Sequence, residues 1–274
     1  MTHSSGAGLF PLQFSILNRC PAPDVNTEPM KSKLGFFRHC FLVTAISFVV
    51  ATSLHARPAK PDYLPDGKPN AVKLLAPPPM PDSAEQAADL AEVVAVHDQC
   101  TAAEASLADS EQNFFIFSFE PAIGAFFQPG KLPKTEAFFH RVQAAVTSVE
   151  DNAKDYWKRP RPYVVDPVLA NGKLEKSFSY PSGHSTRATV DALLLAEMFP
   201  DKRDAILAEG RAIGWHRVEI AHHYPTDIYA GRVLAQAIVR EMKKNADFRR
   251  DFAAVKSEVA AAQDVDHGTA RAAR

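Results

Sequence analysis

The sequence predicts an all-α protein, a single-domain helical bundle, and three observations lead to that fold class. Apolar residues recur at helical spacing along several stretches, most clearly at Phe138, Val142, Val149 and Ala153. No stretch keeps the alternating pattern of a β-strand for long. The composition is globular, with 46% hydrophobic and 23% charged residues among 274. With a formal net charge of −1, the chain has no general attraction for nucleic acid or acidic lipid.

Residues 1–56 differ from the rest and are predicted to be an N-terminal extension with a signal peptide. A basic segment beginning at Met30 precedes an uncharged run from Cys40 to Leu54, and the small residue Ala56 follows. We therefore expect translation to start at Met30 and cleavage to occur near Ala56, which would make the mature protein periplasmic or secreted. An uncut membrane anchor is the alternative, although about 15 apolar residues span a bilayer poorly.

Residues 57–82 are rich in proline and are predicted to be an extended arm that does not pack as an element. Residues 83–274 are predicted to be the helical domain. A capping-box pattern at Ser83 begins one long helix to about Ser110. The phenylalanine-rich segment 114–127 is expected to be core, with a substrate-pocket wall as the alternative. The later helices are expected at about 135–159, 185–199, 201–221, 225–242 and 246–262.

The segment 178–184, Phe-Ser-Tyr-Pro-Ser-Gly-His, has the pattern of a turn that leads into a helix. Free N–H groups at a helix start attract an oxyanion, and Ser182 and Gly183 lie at that point. His184 is placed to exchange a proton with a bound group. Taken alone, such a segment is more often a surface turn that a serine caps.

A second histidine has a carboxylate one helical turn away. His223 is followed by Asp227 four residues later, whereas the adjacent His222 has no such neighbour. A carboxylate at this spacing can accept a hydrogen bond from one ring nitrogen and leave the other free to attack. The alternative is a buried structural histidine with its hydrogen bonds satisfied.

Three cations accompany the two histidines: Lys154, Arg161 and Arg217. Arg217 lies on a helix face that is otherwise apolar or small, so it needs an anion as a partner. That anion is either an internal carboxylate or a phosphate group held by two N–H donors. Three permanent cations without an acidic cluster favour a bound anion over a metal ion, so we expect neither a metal nor another cofactor.

These residues together carry a family resemblance. Three segments resemble the three-part signature of the type 2 phosphatidic acid phosphatase superfamily, which includes vanadium haloperoxidases. They are Lys154-x6-Arg161-Pro162, Pro181-Ser182-Gly183-His184 and Arg217-x5-His223-x3-Asp227. The flanking sequence, including Lys-Asp-Tyr-Trp at 154–157, is similar to the class A bacterial nonspecific acid phosphatases. One position departs from that family, because His216 stands where a serine usually precedes the arginine.

The resemblance implies a metal-independent acid phosphatase that hydrolyses small phosphomonoesters. It implies that His223 attacks phosphorus to form a phosphohistidine, that Asp227 orients His223, and that His184 protonates the leaving oxygen and then activates water. It also implies a set of phosphate-binding residues, namely Lys154, Arg161, Ser182, Gly183 and Arg217. Because His184 would start protonated and His223 neutral, we expect an acidic pH optimum.

Several alternatives share this set of residues. They are a vanadate-dependent haloperoxidase, a lipid or phosphosugar phosphatase, a phosphotransferase and, from a different class, a phosphate-binding protein without catalysis. The family likeness also implies a homodimer or a larger homo-oligomer. Because residues 57–274 contain no run of about 20 apolar residues, we expect no stable membrane association after signal cleavage. The net charge of −1 leads us to expect no nucleic-acid partner.

Overall fold

The computed structural model describes the backbone of residues 63–272 and the side chains of residues 63–265. This part of the chain contains helices and no strand, which confirms the all-α prediction. The helices are α1 (Ala71–Leu74), α2 (Ala84–Gln99), α3 (Ala102–Ser110), α4 (Glu120–Ile123), α5 (Pro133–Trp157), α6 (Pro162–Val165), α7 (Gly183–Met198), α8 (Arg203–Glu219), α9 (Pro225–Met242) and α10 (Ala246–Ala272). The predicted signal peptide lies outside the described residues.

Helix α7 packs against both α8 and α9, and it carries the motif that begins at Ser182. Two glycines allow the close approach. A Cβ atom on Gly210 of α8 would lie 2.7 Å from the Cβ of Ala192, and one on Gly231 of α9 would lie 2.8 Å from the carbonyl oxygen of Ser182. The start of α7 is therefore held directly against α9, which carries Asp227 in its first turn.

The prediction of an unpacked proline-rich arm is wrong for the part of that segment that the structure describes. Tyr63, Leu64 and Leu75 are buried in the main core. The hydroxyl of Tyr63 donates to Asp251 Oδ2 on α10 at 2.9 Å. The prolines limit regular secondary structure in residues 63–82 to the short helix α1, but the apolar side chains between them gain stability by burial all the same.

The single long helix predicted to Ser110 is also wrong, because the chain breaks between α2 and α3. Thr101 is an N-cap whose side chain accepts from the backbone N–H of Glu104, while the Glu104 carboxylate accepts from the N–H of Thr101 at 2.8 Å. This capping box stabilises a new helix start, which the uninterrupted helical pattern concealed. The break places the end of α3 and the 3₁₀ turn Glu111–Asn113 against α8 and the site.

The other predicted helices are confirmed, with most ends within about two residues, the usual spread for helix boundaries. Helix α10 extends beyond the predicted residue 262 to Ala272. Most rings of segment 114–127 are core, as predicted, with Phe119 and Phe127 fully buried. Within residues 63–272, each helix is too short or too polar to cross a lipid bilayer.

Candidate active site

The predicted pair of His223 and Asp227 forms at the start of α9. Pro225 occupies the first turn of this helix, where its missing N–H costs nothing. Asp227 Oδ2 then lies 3.3 Å from His223 Nδ1 and accepts hydrogen bonds from the backbone N–H of Tyr224 at 3.0 Å and from Ser179 Oγ at 2.5 Å. Both the histidine and the aspartate are buried, so the pair is shielded from water.

The other nitrogen of His223 faces a cation. Its Nε2 atom lies 3.2 Å from Nη1 of Arg161. A guanidinium can only donate, so Nε2 is the acceptor and carries no proton, and the proton resides on Nδ1 beside Asp227. Burial and the charge of Arg161 lower the pKa of His223 to about 3. The ring is therefore neutral near pH 7, with a free electron pair directed at Arg161.

Arg161 and Lys154 are brought together by the loop that precedes α7. Arg161 donates to the carbonyl oxygens of Ser177 at 2.8 Å and His222 at 2.9 Å, and to Glu175 Oε2 at 2.6 Å. Lys154 Nζ donates to the carbonyl oxygen of Phe178 at 3.0 Å. Burial and the charge of Arg161 lower the pKa of Lys154 to about 8. Both cations are thus almost fully desolvated, and a desolvated cation attracts an anion strongly.

Ser182 and Gly183 occupy the positions that the motif predicts. The side chain of Ser182 caps α7 by accepting from the N–H of Ser185 at 3.3 Å, which leaves its hydroxyl hydrogen free to donate elsewhere. The N–H of Ser182 donates to the carbonyl oxygen of Asp227 at 3.0 Å. A Cβ atom on Gly183 would lie 2.9 Å from Oε1 of Glu150, so this buried carboxylate is a reason for glycine at that position.

His184 is buried, and its Nε2 lies 3.2 Å from the carbonyl oxygen of Gln112. Its ring centroid is 5.7 Å from that of Phe114, so the phenylalanine-rich segment reaches the site at its first residue. Burial and the charges of Arg217 and Arg187 hold the pKa of His184 well below its usual range. This shift favours the neutral imidazole, so the expectation that His184 starts protonated depends on a bound anion and stays a prediction.

Arg217 lies inside the protein, with 1% of its surface exposed. Its Nη2 donates to the carbonyl oxygen of Ala108 and lies 3.9 Å from Oε2 of Glu111. Its own carbonyl oxygen accepts from the N–H groups of His222 and His223 at 2.8 and 3.1 Å, which joins the end of α8 to His223. Both anionic partners predicted for Arg217, an internal carboxylate and a phosphate group, are compatible with this geometry. Glu111 lies near the guanidinium but beyond hydrogen-bond distance of it.

Sequence reasoning missed Arg159, which joins the site to α2. Its Nη1 donates to Asp227 Oδ1 at 2.6 Å, and its Nη2 donates to Asp89 Oδ2, also at 2.6 Å. The doubled Arg-Pro in 159–162 was the available signal, but only Arg161 fitted the motif spacing. Ser179 and Glu111 were missed as well, because nothing in the local pattern shows which distant group they contact.

No group of three or more potential metal ligands occurs among the described residues, and the metal-free site stays a prediction.

Comparison with known proteins agrees with this geometry. Residues 139–250 match the family model described as the PAP2 superfamily. This is the superfamily whose signature the three segments resemble. Residues 139–250, called the PAP2 segment below, are therefore similar to the PAP2 superfamily, and they make up less than half of the chain. All eight predicted site residues lie inside the PAP2 segment: Lys154, Arg161, Ser182, Gly183, His184, Arg217, His223 and Asp227.

Curated relatives of this PAP2 segment include bacterial acid phosphatases. The chain is 37% identical over 120 residues to an acid phosphatase of Zymomonas mobilis, covering 42% of this chain and 46% of that protein. It is 33% identical over 114 residues to a non-specific acid phosphatase of Providencia stuartii, covering 40% and 46%. It is 29% identical over 151 residues to a non-specific acid phosphatase of Salmonella typhimurium, covering 52% and 59%. These matches confirm the predicted resemblance, although the chain spans only about half the length of these relatives.

Proposed function

We propose that this protein is a metal-independent acid phosphatase that hydrolyses small phosphomonoesters through a phosphohistidine intermediate. One observation carries the proposal. The Nε2 atom of His223 is unprotonated and lies 3.2 Å from the guanidinium of Arg161, while Asp227 holds the opposite nitrogen. A nucleophile next to a buried cation is the arrangement that an attack on an anionic phosphate group requires.

In the first half of the reaction, the phosphate group of the ester lies between the cations. The electron pair on His223 Nε2 forms a bond to phosphorus, and the bond from phosphorus to the ester oxygen breaks. His184 donates a proton to that oxygen, which leaves as an alcohol. Asp227 stabilises the positive charge that develops on the ring of His223. Arg161, Lys154 and Arg217 stabilise the negative charge on the non-bridging oxygens.

In the second half, His184 is neutral and can accept a proton. Water attacks phosphorus while it gives a proton to His184, and the bond between phosphorus and His223 Nε2 breaks. Inorganic phosphate leaves, and His184 has regained the proton that the next cycle needs. The alternation requires a pKa for His184 within the working range when an anion is bound. A phosphate group raises the pKa of a nearby imidazole, which opposes the lowering by burial, Arg217 and Arg187.

The test is hydrolysis of p-nitrophenyl phosphate in the presence of EDTA. We expect sustained turnover by the wild type and a loss of at least about a thousandfold in His223→Ala, because the nucleophile is absent. His140→Ala is the matched control, since His140 is exposed and stacks on Phe115 at a centroid distance of 4.2 Å. Loss of wild-type activity in EDTA, or full activity of His223→Ala, would contradict the proposal.

Further measurements separate the competing functions. Vanadate inhibits a phosphatase of this kind, whereas a haloperoxidase would require vanadate for halide oxidation. A protein that only binds phosphate would show no turnover, and His223→Ala would leave its phosphate affinity nearly unchanged. Release of an acyl-chain alcohol in preference to p-nitrophenol would identify a lipid phosphatase, and phosphate transfer to added alcohols would identify a phosphotransferase.

We further propose that the protein is exported to the periplasm or the medium and that it acts as a homodimer or larger assembly. The support for export is the order of basic, apolar and small residues in the segment 30–56. Cell fractionation of the full-length chain, with N-terminal sequencing of the mature protein, tests the first point. Retention in the cytoplasm with an intact N-terminus would contradict it. Light scattering of the purified protein tests the second.

A further inference from the structure

Two ionisable residues outside the family signature lie behind Arg217. Glu111, in the 3₁₀ turn after α3, is buried, and its Oε2 atom lies 2.8 Å from His216 Nδ1. The same Oε2 atom lies 3.9 Å from Nη2 of Arg217. One carboxylate oxygen of Glu111 therefore lies near both His216 and Arg217, which are adjacent residues of α8. Arg217 is always charged, whereas the charge of His216 depends on pH.

Arg217 has a donor that is not yet satisfied. Its Nη2 is bonded to the carbonyl oxygen of Ala108, while its Nε is buried and has no hydrogen-bond partner within the described part of the chain. Buried donors of this kind are costly unless an acceptor arrives. The proposed phosphate supplies that acceptor, but it brings a second negative charge close to Glu111. The charge state of His216 decides how strongly Glu111 opposes this anion.

The surroundings of His216 favour its protonated form. Burial by itself lowers the pKa of His216, but the hydrogen bond and the charge of Glu111 raise it above the ordinary value. Three further acidic side chains act on His216: Glu104 on α3 and Glu209 and Glu219 on α8. Arg217 is the opposing cation among the charges acting on it. The charges around His216 are therefore negative on balance, which favours the protonated imidazole.

We propose that Glu111 and His216 are positioning residues that set the affinity of Arg217 for the phosphate group. While His216 is protonated, it neutralises Glu111, and the charge of Arg217 acts fully on the bound anion. When His216 loses its proton, the charge of Glu111 is directed to Arg217 and opposes the anion. The inference rests on the phosphate site of the proposed function, but it concerns binding and does not depend on turnover.

The test is the affinity for sulfate, measured by isothermal titration calorimetry across about pH 5 to 8, the range in which a histidine changes charge. Sulfate remains a dianion throughout this range, so any pH dependence comes from the protein. The proteins compared are the wild type, His216→Ser, Glu111→Gln and the double variant, with His140→Ser as the control for loss of an imidazole elsewhere. Circular dichroism and thermal melts establish that each variant is folded.

We expect His216→Ser to bind sulfate about three- to tenfold more weakly than the wild type at the acidic end, because Glu111 is then uncompensated. The difference between the two proteins should shrink as pH rises through the pKa of His216, because the wild-type imidazole then loses its charge. Glu111→Gln should bind sulfate at least as tightly as the wild type. Adding His216→Ser to Glu111→Gln should then change nothing, since the charge that His216 offsets is gone.

A second readout excludes a purely structural effect. Because linkage is reciprocal, sulfate should raise the proton affinity of His216 by the same factor and its pKa by the logarithm of that factor. NMR titration of the imidazole resonance that is missing in His216→Ser would detect this shift. In the phosphatase assay, His216→Ser should raise KM at acidic pH with kcat within about twofold of the wild type.

Equal sulfate affinity of His216→Ser and the wild type at every pH would overturn the inference, as would an undiminished effect of His216→Ser in the Glu111→Gln background. If His216→Ser does not fold, the comparison of Glu111→Gln with the wild type decides. Glu111→Gln must then remove the pH dependence of sulfate affinity that comes from Glu111 and His216. Sulfate binding with the expected pattern but without phosphatase activity would contradict the proposed function and leave this inference standing.

Discussion

At the scale of single residues, the candidate site consists of buried charges that are paired with one another. Arg159 connects two buried carboxylates, Asp89 and Asp227, and its guanidinium lies 3.9 Å from the ring centroid of Tyr224. Burial alone would raise the pKa of Asp227, but the hydrogen bond from His223 and the charge of Arg159 hold it well below its usual range. Arg159 thereby keeps Asp227 ionised beside His223.

Replacing Arg159 with methionine leaves Asp89 and Asp227 buried without their cation. We expect a loss of about 3–5 kcal/mol in the free energy of unfolding, the usual cost of breaking a buried ion pair. We also expect kcat to fall by about ten- to a hundredfold, because Asp227 no longer holds one fixed orientation toward His223. Urea denaturation and steady-state kinetics measure the two effects. Arg203→Met, at an exposed position, is the control, and an Arg159→Met enzyme with wild-type kcat would contradict the role given to Arg159.

The pH dependence of catalysis follows from His184. Burial and the charges of Arg217 and Arg187 hold its pKa well below the usual range, and a bound phosphate group would raise it. The general acid works only when protonated, so kcat should fall as pH rises through the pKa of His184 in the complex, and the optimum should be acidic. A profile of kcat against pH measures this. A kcat that stays constant from about pH 4 to 9 would exclude His184 as the general acid.

At the scale of elements, the site depends on the close packing of α7 on α9. Gly231 contacts the start of α7, where an added Cβ atom would lie 2.8 Å from the Ser182 carbonyl oxygen and 3.0 Å from Ser185 Cβ. Both obstacles belong to the backbone or to a buried side chain, so neither moves easily. The position of Ser182 relative to Asp227 therefore depends on a residue that takes no part in the chemistry.

Gly231→Ala should push the start of α7 away from α9. Although alanine favours helix by about 1 kcal/mol, we expect net destabilisation of about 1–3 kcal/mol from overpacking. We also expect weaker phosphate binding, seen as a higher KM, because Ser182 and Gly183 are displaced. Thermal unfolding and steady-state kinetics provide the measurements, with Gln236→Ala on the exposed face of α9 as the control. If Gly231→Ala is as stable and active as that control, the packing argument fails.

At the scale of the whole molecule, stability depends on a carboxyl group that the reaction does not use. Asp191 on α7 is fully buried and accepts a hydrogen bond from Gln143 Nε2 at 2.8 Å. Burial raises its pKa from 3.8 to about 8. Between these two values the unfolded chain loses the proton and the folded protein keeps it. Unfolding therefore becomes more favourable as pH rises through this window.

Asp191→Asn removes this dependence, because an amide does not ionise. We expect the variant to have a melting temperature several degrees above the wild type at neutral pH, with the difference shrinking as pH falls toward 4. Differential scanning calorimetry at a series of pH values measures the trend. Asp204→Asn, at an exposed position, should show no such dependence. A wild-type protein that is more stable than Asp191→Asn at neutral pH would reverse the expected sign.

The sequence alone was sufficient for the all-α fold class and for most of the helices, and it selected eight site residues whose roles stay predictions. Helical periodicity, capping patterns and proline positions act over a few residues, so they can be read without a structure. The spacing of the signature likewise placed Asp227 one turn from His223 and put Ser182 and Gly183 at a helix start. Local patterns failed where a strong cap interrupted an unbroken helical pattern, at Thr101, and where scattered apolar residues packed between prolines, at Tyr63 and Leu75.

Only the tertiary structure decided the partners of the buried charges and hence their ionisation. Arg159 joins Asp89 to Asp227, and Glu111 lies between His216 and Arg217. These contacts, like the lowering of the His184 pKa by burial and by Arg217, depend on distances between residues far apart in the chain. Electrostatic energy varies with distance through space and with burial, and spacing along the sequence specifies neither.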